Sequence, residues 1–236
     1  MHIDFAASAR STVGIEWELA LVDADTLELT PLAQPLLDQV EGGEQGPIRQ
    51  EFLKNMIELV SGVHETVESA VGDLHETLSV ADRLARQLGA RLLGSGTHPF
   101  SLSRAQQPFD KPRYNVVVDR NQWWSRQLAI CGTHIHVGID HRDKALPITN
   151  GLARFFPYLL SLSASSPFWE SEDTGYASQR TMLFQQLPTN GLPYAMETWA
   201  EFEAYAEELS EVGMITVAKE IRWDVPSPEG GITGTT

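Results

Sequence analysis

The sequence predicts a mixed α+β chain, and three observations carry that reading. Residues 12–22 alternate apolar and polar side chains as a half-buried strand does. Residues 128–139 form a second run rich in β-branched residues and bearing two histidines. Residues 63–88 repeat apolar positions at helical spacing.

In the first strand Val13, Ile15, Trp17, Leu19 and Leu21 form the buried face, so Glu16 and Glu18 fall together on the opposite one. Two carboxylates that close repel unless a cation or strong donors sit between them. A hard divalent cation with its preference for oxygen ligands relieves that repulsion. Taken alone, Glu-x-Glu is more often a solvated outer face. Asp23 and Asp25 read as turn formers before a return segment at 27–32. A short helix follows near 35–40, and the Gly-rich stretch 41–47 is a loop by composition.

The run 48–62 places Glu51 and Glu58 among Phe52, Leu53, Met56, Ile57, Leu59 and Val60. Glutamate is almost never fully buried without a partner. Lys54-Asn55 can break this run into two short strands or form a bulge, so spacing alone leaves open which face each acid uses. The helix at 63–88 carries Val67, Ala70, Val71, Leu74, Leu78, Ala81, Leu84, Ala85 and Leu88, with Gly89 as its C-cap. His64 and His75 in this region read as surface or cap residues.

A short strand at 91–93 leads into Gly94-Ser95-Gly96-Thr97-His98-Pro99, which lacks a Walker or dinucleotide fingerprint and carries little weight as a phosphate loop. Residues 101–118 read as a long polar loop, with Arg113 and Tyr114 its most useful side chains, and 119–127 as a helix. In the histidine strand Cys131, Ile135, Val137 and Ile139 share one face, and Gly132, His134, His136 and Gly138 the other. Either histidine alone is more often a hydrogen-bonded core residue than a ligand. One or both with four glutamates suit hard cations on one sheet face, and oxygen-dominated ligation favours Mg²⁺ or Mn²⁺ over zinc.

Residues 144–163 predict an apolar helix kinked or split by Pro157. Residues 172–193 read as a loop containing Arg180, which could clamp a carboxylate or phosphate bidentately. Thr198 with Glu201 makes a capping box before a helix to about residue 212. Residues 226–236, rich in Gly, Pro and Thr, read as a frayed end.

Composition narrows the function classes. The formal net charge of −15 argues against nucleic acid as the main partner, since phosphate binding relies on Lys and Arg, but Mg²⁺ can still bridge ATP to carboxylates. Cys131 is the single cysteine, so no internal disulfide forms, and a reducing cytoplasm is the simplest expectation. On its apolar face it reads as an inert buried thiol. No signal peptide is read in the first ten residues, and no run is long and apolar enough for a membrane helix.

At this point the residues resemble a known family. Gly14-Ile15-Glu16-Trp17-Glu18, Glu51 with Met56-Ile57-Glu58-Leu59-Val60, Gly132-Thr133-His134-Ile135-His136-Val137-Gly138, Leu162-Ser163-Ala164-Ser165-Ser166-Pro167, Asp173-Thr174-Gly175-Tyr176-Ala177-Ser178-Gln179-Arg180 and Arg222-Trp223-Asp224 occur in family order. The chain looks like a carboxylate–amine ligase of the glutamate–cysteine ligase type 2 family over almost its whole length. The resemblance implies an α+β, glutamine-synthetase-like fold: a curved antiparallel sheet with helices packed on one side. It implies that ATP phosphorylates a carboxylate, typically that of glutamate, and that an amine such as cysteine displaces the phosphate to form an amide. It carries Glu16, Glu18, Glu51, Glu58 and His136 onto Mg²⁺ positions, Arg180 onto a catalytic substrate- or phosphate-holding position, and Arg113 and Tyr114 more weakly onto the cofactor pocket. His134 falls beside the metals.

The resemblance departs after Trp223-Asp224. The family continues into a strand bearing a glutamate and an arginine, whereas here a Gly- and Thr-rich tail follows. The expectation is one catalytic domain, residues 1–236, lacking the family's C-terminal strand and helices, with an open sheet edge that favours homo-oligomers. A metal- or nucleotide-binding module without catalysis, or a metal-dependent hydrolase, is the alternative.

Overall fold

The structure, a computed structural model, describes residues 1–42, 46–224 and 232–235, with the side chains of residues 113 and 232–235 outside that description. Its frame is one sheet built around a long first strand. β1 (Val13–Asp23) alternates so that Ile15, Leu19 and Leu21 are buried on one face. β2 (Ile48–Gln50) and β3 (Met56–Val60) follow a short helix, α1 (Ala33–Leu37). The 48–62 run is thus two strands, parted at 51–55, where the Asn55 side chain turns inward to Gln106.

α2 (Val67–Gln87) packs against the apolar face of the sheet. Its buried positions, Ala70, Leu74, Thr77, Ala81 and Ala85, repeat every three or four residues along one stripe. Three of these five are alanine, which lets the helix approach Leu19, Ile57 and Leu59 closely. The Thr66 hydroxyl accepts from the Ser69 N–H at 3.2 Å as N-cap, an interaction worth about 1 kcal/mol. Gly89, at φ +75°, turns the chain out after the C-cap.

β4 (Ala90–Leu93) and β5 (Thr133–Val137) both pair antiparallel with β1 on the same edge, β4 beside residues 20–23 and β5 beside 13–17. β3 lies on the other edge, and β2 flanks β3. The intervening region contains α3 (Pro112–Asn121), so the loop expected over 101–118 and the helix over 119–127 are both displaced. Pro112 starts this helix rather than breaking structure, because proline at the first turn gives up a donor that has no partner there.

Residues 145–163 split as Pro157 requires, into α4 (Ala145–Ala153) and α5 (Phe156–Ser163) with the proline in the first turn of α5. The stretch expected as a loop at 172–193 holds more order. β6 (Phe168–Trp169) pairs with β7 (Glu172–Asp173), and α6 (Gln179–Phe184) follows with the Ser178 hydroxyl as its cap. β8 (Asn190–Gly191) precedes α7 (Trp199–Glu211), and β9 (Arg222–Trp223) runs parallel to β8. Thr198 caps α7 as expected, its hydroxyl accepting from the Glu201 N–H. A second core of Trp199, Phe202, Ile215, Ile221, Trp223 and Leu146 joins α4 to α7.

Most of the expected frayed end, 226–236, lies outside the described residues. Within it β10 (Ile232–Thr235) pairs antiparallel with β5 and adds a sixth strand at that edge. The expected return segment at 27–32 comes back beside β1 through one antiparallel bridge, Val22 to Leu29. No helix among the described residues is long and apolar enough to cross a membrane.

Candidate active site

Strand register gathers the acids. Glu16 on β1 stands opposite His134 on β5, and Glu18 stands opposite Glu58 on β3. All four lie on the face opposite α2. Glu51, just past β2, turns to the same place: one carboxylate oxygen each from Glu18, Glu51 and Glu58 lie within 4.8 Å of one another. Glu16, Glu58 and His134 form a second such group. Glu58 therefore belongs to both.

The histidines hold Glu16. His136 Nε2 lies 2.9 Å and His134 Nδ1 3.4 Å from the same carboxylate oxygen, and His134 Nε2 lies 3.9 Å from Glu18. His136 Nε2 is nonetheless out of line for a hydrogen bond, leaving a buried nitrogen without a formal hydrogen-bond partner. His134, expected beside the metal positions, is the histidine whose ring lies near both Glu16 and Glu58, while His136 contacts Glu16.

These neighbours split the acids electrostatically. Burial pushes Glu58 up to about 8, reinforced by the charges of Glu16, Glu51 and Glu18. Burial also pushes Glu16 upward, but the close approach and charges of His134 and His136 outweigh it and hold Glu16 far below the ordinary carboxylate range. For His134 burial favours the neutral ring, yet the Glu16 hydrogen bond and the Glu18 charge prevail and raise it. A proton on Glu58 thus relieves like-charge crowding when no cation is bound. An all-oxygen cluster of four carboxylates, one of them kept neutral by its neighbours, beside a buried histidine nitrogen lacking a hydrogen bond, fits Mg²⁺ or Mn²⁺.

Arg180 stands next to this cluster. It is 7% exposed, at the start of α6, with its Nε donating to the Cys131 carbonyl at 3.2 Å and its guanidinium 5.0 Å from the Phe184 ring. Burial disfavours its charge, while the Glu18 carboxylate opposes that effect. It borders a cleft of about 240 Å³ lined by Glu18, Gly96, Gly132, Ser95, Ser165 and Ser178, among others. The Gly94–Gly96 turn, which carries little weight in the sequence, thus forms a wall of the cleft. A Cβ on Gly96 would stand 3.1 Å from the Arg180 Cβ, so the glycine lets the arginine's backbone come close.

Cys131 is buried, but not on the face expected. β5 begins two residues later, so strand alternation does not extend to it, and it packs with Ala20, Leu53, Met56 and Ala129. Burial pushes its thiol well above the ordinary range, in keeping with an inert cysteine. Tyr114 is buried in the main core, edge-on to Phe52 at 5.3 Å, and does not line the cleft. The side chain of Arg113 lies outside the described residues. Asp224, which the sequence places in a motif without a role, is 2% exposed; it accepts from Gln185 at 2.9 Å, and burial raises it against the pull of Arg180's charge. Only its tertiary surroundings single it out.

Carboxylates and histidines on one face of an antiparallel sheet, with a buried arginine beside them, are a donor set that can hold a divalent cation next to an anion. The model of glutamate–cysteine ligase family 2 matches residues 12–230, and the chain belongs to that family. It is 49% identical over 240 residues to a provisionally named glutamate–cysteine ligase 2-1 of Arthrobacter sp. (strain FB24), covering 98% of this chain and 63% of that one. A counterpart from Leifsonia xyli is 48% identical over 98% of this chain and 62% of its own. The chain thus spans under two thirds of the length of these relatives.

Among solved structures, a glutamate–cysteine ligase of Francisella tularensis in complex with AMP matches with TM-score 0.58 at 15% identity, over 97% of this chain and 53% of that one. A bifunctional glutathione synthetase from Pasteurella multocida matches with TM-score 0.64 at 16% identity, over 86% of this chain and 30% of that one. These likenesses show the fold, the antiparallel sheet with helices that the resemblance implied.

Proposed function

We propose that this chain carries the catalytic sheet of an ATP-dependent carboxylate–amine ligase acting on amino acids, with glutamate as the acid and an amine such as cysteine. The observation that carries the reading is the juxtaposition of the Glu16/Glu18/Glu51/Glu58 cluster with the buried Arg180 on one side of the sheet. Transfer of phosphate from ATP to a carboxylate joins two anions, so the protein's task is positioning and charge neutralisation. The four glutamates, with His134 or His136, would hold Mg²⁺ or Mn²⁺. Bound there, the cation supplies Lewis-acid neutralisation of the phosphate oxygens.

The chain's own residues do the rest. Arg180 presents a planar fork to the substrate carboxylate or the transferred phosphate, in a dry setting where such a pair is strong. The serine hydroxyls of the cleft offer hydrogen bonds to the remaining polar atoms of an amino acid. The phosphorylated carboxylate is then attacked by the amine, the carbon–nitrogen bond forms, and phosphate leaves. Family membership and the AMP-bound relative's fold support nucleotide use. We place this activity in the cytoplasm, and the protein in homo-oligomers.

The test is an ADP-release screen over pairs of amino acids with Mg-ATP. ADP formation that requires both an acid and an amine supports the ligase. Product without ATP would favour the hydrolase, and cation binding without product would favour a binding module.

A further inference from the structure

One peptide unit joins the two halves of the site. The Cys131 carbonyl accepts from Arg180 Nε at 3.2 Å, and the N–H of the same peptide, on Gly132, donates to Glu18 Oε2 at 2.6 Å. In a trans peptide these two groups point in opposite directions. The carbonyl oxygen therefore faces the cation while the N–H faces the anion, and both contacts are charge-assisted. The segment is itself fixed: the Cys131 N–H donates to the Gly96 carbonyl at 3.0 Å, and the Glu18 N–H to the Gly132 carbonyl at 2.9 Å.

Gly132 is the residue on which this arrangement depends. Its φ lies outside the left-handed region, so its backbone would accept an alanine. Space is the constraint. A Cβ there would stand 2.5 Å from Arg180 Nη2 and 3.3 Å from its Cζ, and 3.5 Å from His134 Nε2. Arg180 as a whole is 7% exposed and its Nε is held, so the guanidinium cannot swing aside without leaving the Cys131 carbonyl.

We propose that Gly132 is a positioning residue: the Cys131–Gly132 peptide sets Arg180 and Glu18 at a fixed separation, and the missing side chain is what lets the guanidinium lie against it. Its effect on affinity for the acid substrate rests on the ligase reading above; its structural role does not.

The experiment has two arms. In the first, the intact chain is labelled with ¹⁵N and the Arg180 Nε–H is assigned by its absence in Arg180→Lys. Exchange of this proton should be about tenfold faster in Gly132→Ala, while the α2 amides keep their protection. Unchanged exchange overturns the proposal. If Gly132→Ala does not fold, Arg180→Lys decides: loss of the Nε contact should speed exchange of the Gly132 amide several-fold, and an unchanged rate overturns the coupling. In the second arm, kinetics with Mg-ATP should show Gly132→Ala raising KM for the acid substrate about tenfold with kcat changed less, and no added effect in the Arg180→Lys background. Additive effects in both backgrounds mean that Gly132 does not act through Arg180. An absence of ligation in every chain, with the exchange result intact, would remove the ligase reading and leave the positioning role standing.

Discussion

Glu18 on β1 and Glu58 on β3 stand directly opposite each other in the antiparallel ladder. Like charges in that position destabilise a sheet, and burial adds to the effect. The chain resolves the conflict by keeping a proton on Glu58, whose carboxyl is pushed up to about 8. A cation would resolve it by replacing that proton.

That exchange is measurable. Binding of Mn²⁺ at neutral pH should release close to one proton, because Glu58 must ionise to ligate. Calorimetric titration in buffers of different ionisation enthalpy reads the proton count. The release should fade above about pH 8, where Glu58 is already ionised, and vanish in Glu58→Gln. A proton count near zero in the wild-type chain at pH 7 would mean that the cation binds elsewhere.

The same group sets a pH dependence of stability. Glu58 has a folded value of about 8 against an ordinary 4.5, so between those values the folded chain holds a proton that the unfolded chain has lost. Stability of the metal-free chain should therefore fall as pH rises through that window. His134, also raised, acts in the same direction above its ordinary 6.5. Glu16, held low, contributes stability that is present above its ordinary 4.5 and lost as pH falls. Thermal melts should thus lose several degrees on going from mildly acidic pH to pH 8, and Glu58→Gln should flatten most of that slope. A Tm that climbs steadily over this range would contradict the assignment.

These acids are legible in the sequence to different degrees. Glu16 and Glu18 follow from alternation, because Val13, Ile15, Trp17, Leu19 and Leu21 assign the faces of β1 unaided. For Glu51 and Glu58 the break at Lys54-Asn55 is visible, but the turn that brings Glu51 back beside Glu18 is a tertiary fact. A period of two cannot separate His134 from His136. Only the pairing of Glu16 with His134 shows which ring sits between the acids. Alternation carried back past the strand's start at Thr133 puts Cys131 on the wrong face. α6 spans six residues, too short for a helical period to emerge, so Arg180 reads from sequence as a loop residue rather than as one anchored in the first turn of a helix.

Arg180→Lys keeps the charge but removes the planar fork and the Nε contact to Cys131. We expect KM for the acid substrate to rise roughly tenfold, the ~1.4 kcal/mol scale of one charge-assisted hydrogen bond, with KM for ATP changed less. Steady-state kinetics with each substrate varied in turn separate the two. Equal acid-substrate KM in both proteins would take Arg180 out of the pocket.

Two glycines should respond to alanine in opposite directions. A Cβ on Gly138 would stand 2.1 Å from the Ala9 carbonyl oxygen and 2.2 Å from Thr12 Oγ1, and the backbone oxygen cannot yield cheaply. Gly138→Ala should cost about 1–3 kcal/mol by the overpacking scale. Gly72 sits exposed inside α2, where an added methyl would meet nothing within 4 Å, so Gly72→Ala should stabilise by about 0.5–1 kcal/mol through helix propensity and chain entropy. Urea melts of the two variants check the signs.

The last prediction concerns association. Phe155, Tyr158 and Leu162 are 60%, 68% and 86% exposed, and their spacing of three and four residues puts them on one side of α5 and its approach. The Phe155 and Tyr158 rings lie 6.4 Å apart, so the surface is continuous there. Apolar patches of this kind mark contact surfaces. Sedimentation velocity should show the weight-average coefficient rising with concentration, and the double variant Tyr158→Ser, Leu162→Asp should remain a monomer with unchanged far-ultraviolet circular dichroism. Cation binding at the carboxylate cluster should survive in that variant, since α5 supplies none of its ligands. A wild-type chain that stays monomeric at high micromolar concentration would show that this stripe is merely solvated and would remove the proposed homo-oligomer.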